Sequence, residues 1–339
     1  MVLQAVVNRL PVVPLPLIRA LAIVTVVGQA GIAVTGAVVR VTGSGLGCPT
    51  WPECFPGSLV PTPHPEVDAL NQWIEFGNRL LSISLVLAAG LAMLAALTLR
   101  PRRRRLVWLA VAQPLGIVAQ AVIGGFVVLS GLVWWSVAVH FLVSMVFTWL
   151  AVLLVAAVSD GPGPARPLVP GAVRGLVATS TLVLGALLVA GTLVTAAGPH
   201  AGDAATPRLG IAVAPLAQLH ADLLFGYLGL LIGLGFALRA TAAPRIVTRR
   251  FAILVAAVLA QGALGGTQYA LGVPEALAAL HVLGAGLVTV AAAGLWVALT
   301  ERPAPPAATT GPSTGPADAV VPGPGSGEPV LTEGARSGA

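Results

Sequence analysis

The chain has 339 residues, of which 57% are hydrophobic and only 9% charged, against about 25% charged in a soluble globular domain. So few charges cannot cover a water-facing surface, and a mean hydropathy of +0.93 excludes disorder for all but the ends, because disordered chains are poor in apolar residues. What remains is an all-α integral membrane protein. The net charge of +6 comes from arginine without any lysine. Most arginines stand in short loops between apolar runs, which is a topology signal, so no nucleic-acid partner is expected.

Eight apolar runs are long enough to cross a bilayer, which takes about 20 helical residues. They are Leu17–Val39, Trp73–Leu99, Leu106–Leu129, Trp135–Val158, Leu176–Ala197, Leu216–Leu238, Phe251–Leu271 and Ala276–Leu299. No small-residue cleavage site follows the first run, so it is expected to be a retained helix. Arg9 and Arg19 precede the first run, Arg100 and Arg102 to Arg105 join the second and third, Arg166 and Arg174 the fourth and fifth, and Arg239, Arg245, Arg249 and Arg250 the sixth and seventh. With eight spans all of these fall on one side. The positive-inside bias then puts both termini in the cytoplasm of a bacterial cell membrane. From Glu301 the composition becomes Pro, Gly, Ala, Ser and Thr, which predicts a disordered tail over 301–339.

The chain repeats itself. Gln120-Ala-Val-Ile-Gly-Gly in the third run returns as Gln261-Gly-Ala-Leu-Gly-Gly in the seventh, and His140 returns as His281 at the same spacing. Gly36-Ala-Val-Val resembles Gly191-Thr-Leu-Val, and Asn78 aligns with His220. Four helices per repeat return the chain to its starting side. The prediction is therefore two parallel four-helix bundles related by an axis along the membrane normal, over 1–158 and 176–300, joined by a cytoplasmic linker over 159–175.

Five histidines are present. His64 and His200 fall in outward loops, where solvated polar residues belong. His140, His220 and His281 lie inside apolar helices, at a common depth of roughly 8 Å below the outer surface at about 1.5 Å per residue. A lone intramembrane histidine can simply bridge helices, but ionisable groups in the membrane usually mark function. Zinc and copper want three or four ligands with thiolate or carboxylate among them. The second half offers only His220 and His281, one on each of two parallel helices, and two facing imidazoles suit a six-coordinate haem iron between apolar walls. No Cys-x-x-Cys-His occurs, which excludes covalent attachment.

The first half is the altered copy. His140 is kept, the place of His220 is taken by Asn78, and Glu75 stands one turn before it where the second half has Ala217. One half thus reads as a saturated electron-transfer site, and the other as a site with one histidine, a carboxylate and an open iron face. Arg40 and Arg79 lie on the arginine-poor outward side and are expected to pair with haem propionates or with Glu75. Cys48 and Cys54 share an outward loop, where thiols oxidise; a local bridge and a reactive or metal-carrying pair both fit. The same loop's Gly43-Ser-Gly-Leu-Gly follows a membrane helix and no strand, so its likeness to a nucleotide loop is superficial.

Arg40-Val-Thr-Gly-Ser-Gly-Leu, the outward cysteine pair, Ile74-Glu75-Phe-Gly-Asn78-Arg79 and the three helical histidines together resemble the haem A synthase family. The resemblance covers all eight helices to about residue 300 and departs from the family at Asn78, where the family's Glu-x-x-His-Arg segment carries histidine. It implies oxidation of a ring methyl of haem O to the formyl group of haem A. It further implies a b haem on His220 and His281, substrate haem near His140, and Glu75 as the essential acid. Cys48 and Cys54 would form the family's loop disulfide. Haem O synthase and the cytochrome oxidase assembly apparatus are the partners so implied; the electron acceptor and self-association stay open. Two other classes compete. A di-haem cytochrome passing electrons from quinol would want two histidines per haem, and a transporter built on a parallel repeat would not need histidines matched in depth.

Overall fold

The computed structural model describes residues 10–161 and 163–303. The described residues form eight long helices, α1 (Leu15–Val41), α2 (Ala69–Thr98), α3 (Arg104–Leu129), α4 (Trp134–Ser159), α5 (Gly171–Ala197), α6 (Val213–Ala240), α7 (Arg245–Ala270) and α8 (Glu275–Ala298). All eight are long and apolar enough to cross a membrane. Large apolar side chains point outward along them, with Leu182 75% and Phe236 72% exposed; only a lipid surround makes such a surface stable. Trp108 near one end of the bundle and Trp73 and Trp135 near the other are exposed as well, in the manner of interfacial aromatic belts.

Helix starts follow local chemistry. Pro14, Pro170, Pro244 and Pro274 immediately precede α1, α5, α7 and α8; proline lacks the N–H that a helix start leaves unpaired anyway. Helix α2 begins four residues before the apolar run because the Asp68 carboxylate caps it, accepting from the Leu70 N–H at 2.8 Å. Helices α5 and α7 likewise start ahead of their apolar runs, carrying Arg174 and the arginines at 245, 249 and 250 in polar first turns.

In the first four helices every neighbour packs on the next, so α1, α2, α3 and α4 close into a ring. The last four are built differently. Helices α5 and α6 pack closely, as do α7 and α8, but the backbones of α6 and α7, and of α5 and α8, stand apart. Side chains from all four fill the inner part of that space, among them Leu184, Tyr227, Leu231, Leu254 and Leu295. Helix α8 also packs on α1 and α4, which joins the two halves.

One end of the bundle is held by arginines and a short ladder. Arg103 donates to the carbonyls of Val158 and Asp160 at 3.0 and 2.8 Å, and Arg105 pairs with the Asp160 carboxylate. Strand β1 (Arg166–Pro167) lies antiparallel to β2 (Thr300–Glu301). The expected tail therefore keeps order through its first residues, because Glu301 is pinned against Arg166; from 304 onward it lies outside the described residues, as do the first nine.

Candidate functional site

Helices α6 and α8 carry His220 and His281 with ring centroids 6.4 Å apart. A metal–imidazole bond is about 2 Å and a ring centre lies about 1 Å beyond its nitrogen, so two imidazoles sharing one iron have centres about 6 Å apart. The Nδ1 of His220 is hydrogen-bonded to the Leu187 carbonyl at 3.0 Å, which leaves Nε2 free to ligate and fixes the ring's orientation. The Nδ1 of His281 is buried without a hydrogen-bond partner. Around this pair the backbones of α6 and α7, and of α5 and α8, stand apart. Ring spacing, free nitrogens and parted backbones together fit a planar iron macrocycle. Among the described residues no three metal-ligating side chains cluster, which disfavours a zinc or copper centre.

Glycines make room for these rings, a feature the sequence reading missed in part. A Cβ at Gly191 would stand 3.1 Å from His220 Cε1, and one at Gly265 only 2.8 Å from His281 Cε1. His140 meets Gly124 in the same way at 3.0 Å. The available signal was the glycine pair that follows each repeated glutamine. Those glutamines do the same thing twice: Gln120 donates to the His140 carbonyl at 2.9 Å and Gln261 to the His281 carbonyl at 2.8 Å.

In the first half the fourth glycine–histidine contact is broken. No side chain approaches Gly36, and Asn78 instead accepts a hydrogen bond from the Thr35 hydroxyl at 2.7 Å. A groove of about 510 Å³ between α1 and α2 leads to this pair, lined also by Val38, Trp73, Gly77 and Leu81. It opens on the lipid-facing side, where Trp73 and Leu81 are exposed.

Cys48 and Cys54 form a disulfide. Its loop folds over the end of the first half opposite Arg103 and Arg105, with Trp51 against Gly125 of α3 and Gly47 against the Asn71 backbone of α2. Glu75 is 5% exposed and holds this loop: one carboxylate oxygen accepts from the Cys48 N–H at 2.8 Å and the other from Arg79 at 2.6 Å. Arg79 also donates to the carbonyls of Cys48, Thr50 and Glu53 at 2.8, 3.0 and 3.2 Å. Of the two partners expected for Arg79, the structure contains Glu75. Arg40 goes elsewhere, donating to the Thr195 carbonyl of α5 at 2.8 Å. His200 also has a partner, lying 2.8 Å from the Val273 carbonyl, and the exposed His64 stacks on Phe55 at 4.9 Å.

Eight membrane-type helices with a facing histidine pair on two of them define a multi-pass membrane protein. The model of the COX15-CtaA cytochrome oxidase assembly proteins matches residues 19–293; the chain belongs to this family. It is similar to the heme A synthase of Geobacillus thermodenitrificans, 30% identical over 132 residues, and to that of Geobacillus kaustophilus, 31% identical over 137 residues. Each alignment covers 39% of this chain and 40% of the relative's length.

Proposed function

We propose that the protein is a haem A synthase, oxidising a ring methyl of haem O to the formyl group of haem A for assembly of the terminal cytochrome oxidase. The observation that carries this reading is the His220–His281 pair at a spacing suited to one iron, beside a second bundle in which the same place holds a single histidine. In this reading residues 176–300 hold a b haem and 1–158 the substrate haem, with 159–175 as linker. Both termini face the cytoplasm of a bacterial cell, by the arginine bias. A b haem between His220 and His281 supplies one-electron redox chemistry when bound.

The chain's own residues hold and orient. Leu187 fixes the His220 ring, and Gln261 anchors the α8 backbone at His281. His140 would hold the substrate haem in the first half, where Asn78, tied to Thr35, replaces the second histidine. Glu75 accepts from the Cys48 N–H and from Arg79, with the Gly47 N–H beside it as well; a carboxylate so held can take a proton or face positive charge developing at the methyl carbon. Two successive hydroxylations of that methyl, each taking oxygen from water and giving up two electrons and two protons to an external acceptor, would give a hydrate, which loses water to the aldehyde. The groove between α1 and α2 gives the substrate's apolar tail a way in from the lipid.

Purified protein is expected to show a reduced b-type band, lost in His220→Ala and His281→Ala. Extracted pigment from cells supplied with haem O should contain haem A, and Glu75→Gln should accumulate haem O or a partly oxidised form. A full, unshifted b band in both histidine variants, or haem A at the parent rate from Glu75→Gln, would refute the corresponding assignment. A b band with no haem A under any condition would instead favour an electron-transferring cytochrome.

A further inference from the structure

We infer that Arg40, contributed by the first half, acts with Arg208 to hold a propionate carboxylate of the haem seated between His220 and His281 in the second half. This rests on the proposed haem site and assigns Arg40 to the opposite half from the one its sequence position suggests. Arg40 is in the last turn of α1, yet its Nη2 donates to the Thr195 carbonyl in the last turn of α5. Thr195 is one helical turn outward of Gly191, which abuts the His220 ring. The guanidinium therefore stands about 6 Å further out than the imidazole, at about 1.5 Å per residue. A haem on these histidines would have its carboxylates on that side, because on the other Leu184, Tyr227 and Leu231 are buried in the apolar core, where an unpaired carboxylate would be costly.

The guanidinium also has capacity to spare. Its Nε is buried and makes no hydrogen bond. Arg208 is its electrostatic neighbour and spends a donor on the Pro199 carbonyl at 2.5 Å. Among the described residues neither arginine pairs with a carboxylate, the salt bridges being those of Arg79, Arg105 and Arg302. Two neighbouring guanidinium groups without an anion repel; a carboxylate held by both turns that repulsion into charge-assisted hydrogen bonds. Arg79 offers the contrast, since its donors are taken by Glu75 and the loop carbonyls.

The placement is built from both halves. Gly202 of the α5–α6 loop packs on the Arg40 stem and accepts the Gly45 N–H at 2.8 Å. The spacing that relates Gly36 to Gly191 carries Arg40 onto Thr195 itself, so the second half has no arginine of its own there and borrows one.

The test uses full-length protein in detergent, with Arg40→Gln, Arg40→Lys and Arg208→Gln. Readouts are b haem per protein after gel filtration and the haem's midpoint potential. Arg40→Gln should hold haem about tenfold more weakly and lower the potential, because loss of a nearby cation favours ferric iron. Arg208→Gln should move both in the same direction, and Arg40→Lys should restore part of the potential; these two keep the test alive if Arg40→Gln does not fold. Haem-free protein refilled with haem dimethyl ester, whose propionates are masked, should show no difference between parent and Arg40→Gln. Unchanged potential and retention in the glutamine variants would overturn the inference, as would a difference that persists with the ester. His220→Ala separates the two levels: if it keeps a full b band the haem site itself is wrong, whereas if it loses the band and the arginine variants are silent, only the propionate assignment fails.

Discussion

Asn78 is where this chain departs from its own repeat, and the consequence can be measured. Its partner is the Thr35 hydroxyl at 2.7 Å, and the glycine that would cradle a histidine ring there, Gly36, has open space beside it. Room for an imidazole has been kept while the imidazole is missing. Asn78→His should therefore be accommodated, and with haem O bound it should shift the first-half iron from high-spin to six-coordinate low-spin, read by electron paramagnetic resonance. A spectrum unchanged from the parent would mean that helix α2 does not face the iron. Glu75 teaches a different lesson at the same scale. From sequence, a carboxylate opposite Ala217 looks like a cost without a structural return. Its bonds to the Cys48 N–H and Arg79 give it a structural role as anchor of the disulfide loop. Loss of activity in a Glu75 variant therefore bears on chemistry only if the loop stays in place, which is why the isosteric Gln is the informative change.

Between helices, the most telling contact is one that sequence reading overlooked. Gln29 of α1 donates to Gln113 of α3 at 3.1 Å across the diagonal of the first bundle. Both are buried, at 3% and 0% exposure, and the Gln113 amide nitrogen has no partner. The repeat spacings carry these positions onto Leu184 and Leu254, both in the apolar core of the second half. Leaving one buried amide without its partner costs about 1–3 kcal/mol, whereas replacing both partners by apolar groups is often neutral or stabilising. Gln29→Leu and Gln113→Leu should each lower the midpoint of thermal unfolding in detergent, and the double variant should recover it. A double variant less stable than either single would show that the amides bond to something beyond each other. This pair was illegible because a glutamine inside an apolar run carries no periodic signal of its own. The eight helices were legible because bilayer thickness fixes their length, and the histidines because charge is costly there. The loop clamp was not, since Arg79 reaches carbonyls about 30 residues away in sequence and no local spacing encodes a fold-back. Nor was the reach of Arg40 into the other half, which depends on how two bundles dock.

Taken whole, the molecule carries two bundles of one topology in two states of closure. In the second half the α6–α7 and α5–α8 backbones are apart, while in the first the corresponding α2–α3 and α1–α4 interfaces are closed. A first half that takes a flat substrate between its helices has to widen toward the geometry of the second. Widening would part the Gln29–Gln113 contact and draw on the disulfide loop, which Glu75 and Arg79 hold to α2. Nitroxide labels on lipid-facing positions can report this without touching the interior, for example at Leu87 and Val118 on α2 and α3, 64% and 54% exposed, and at Phe225 and Leu259 on α6 and α7, 68% and 56% exposed. Addition of haem O should lengthen the first distance and leave the second unchanged, as read by double electron–electron resonance. If haem O binds and neither distance moves, the substrate does not enter the ring of α1 to α4. It would then lie in the groove between α1 and α2, beside Asn78 and Thr35, and His140, on α4, would no longer stand as its iron ligand.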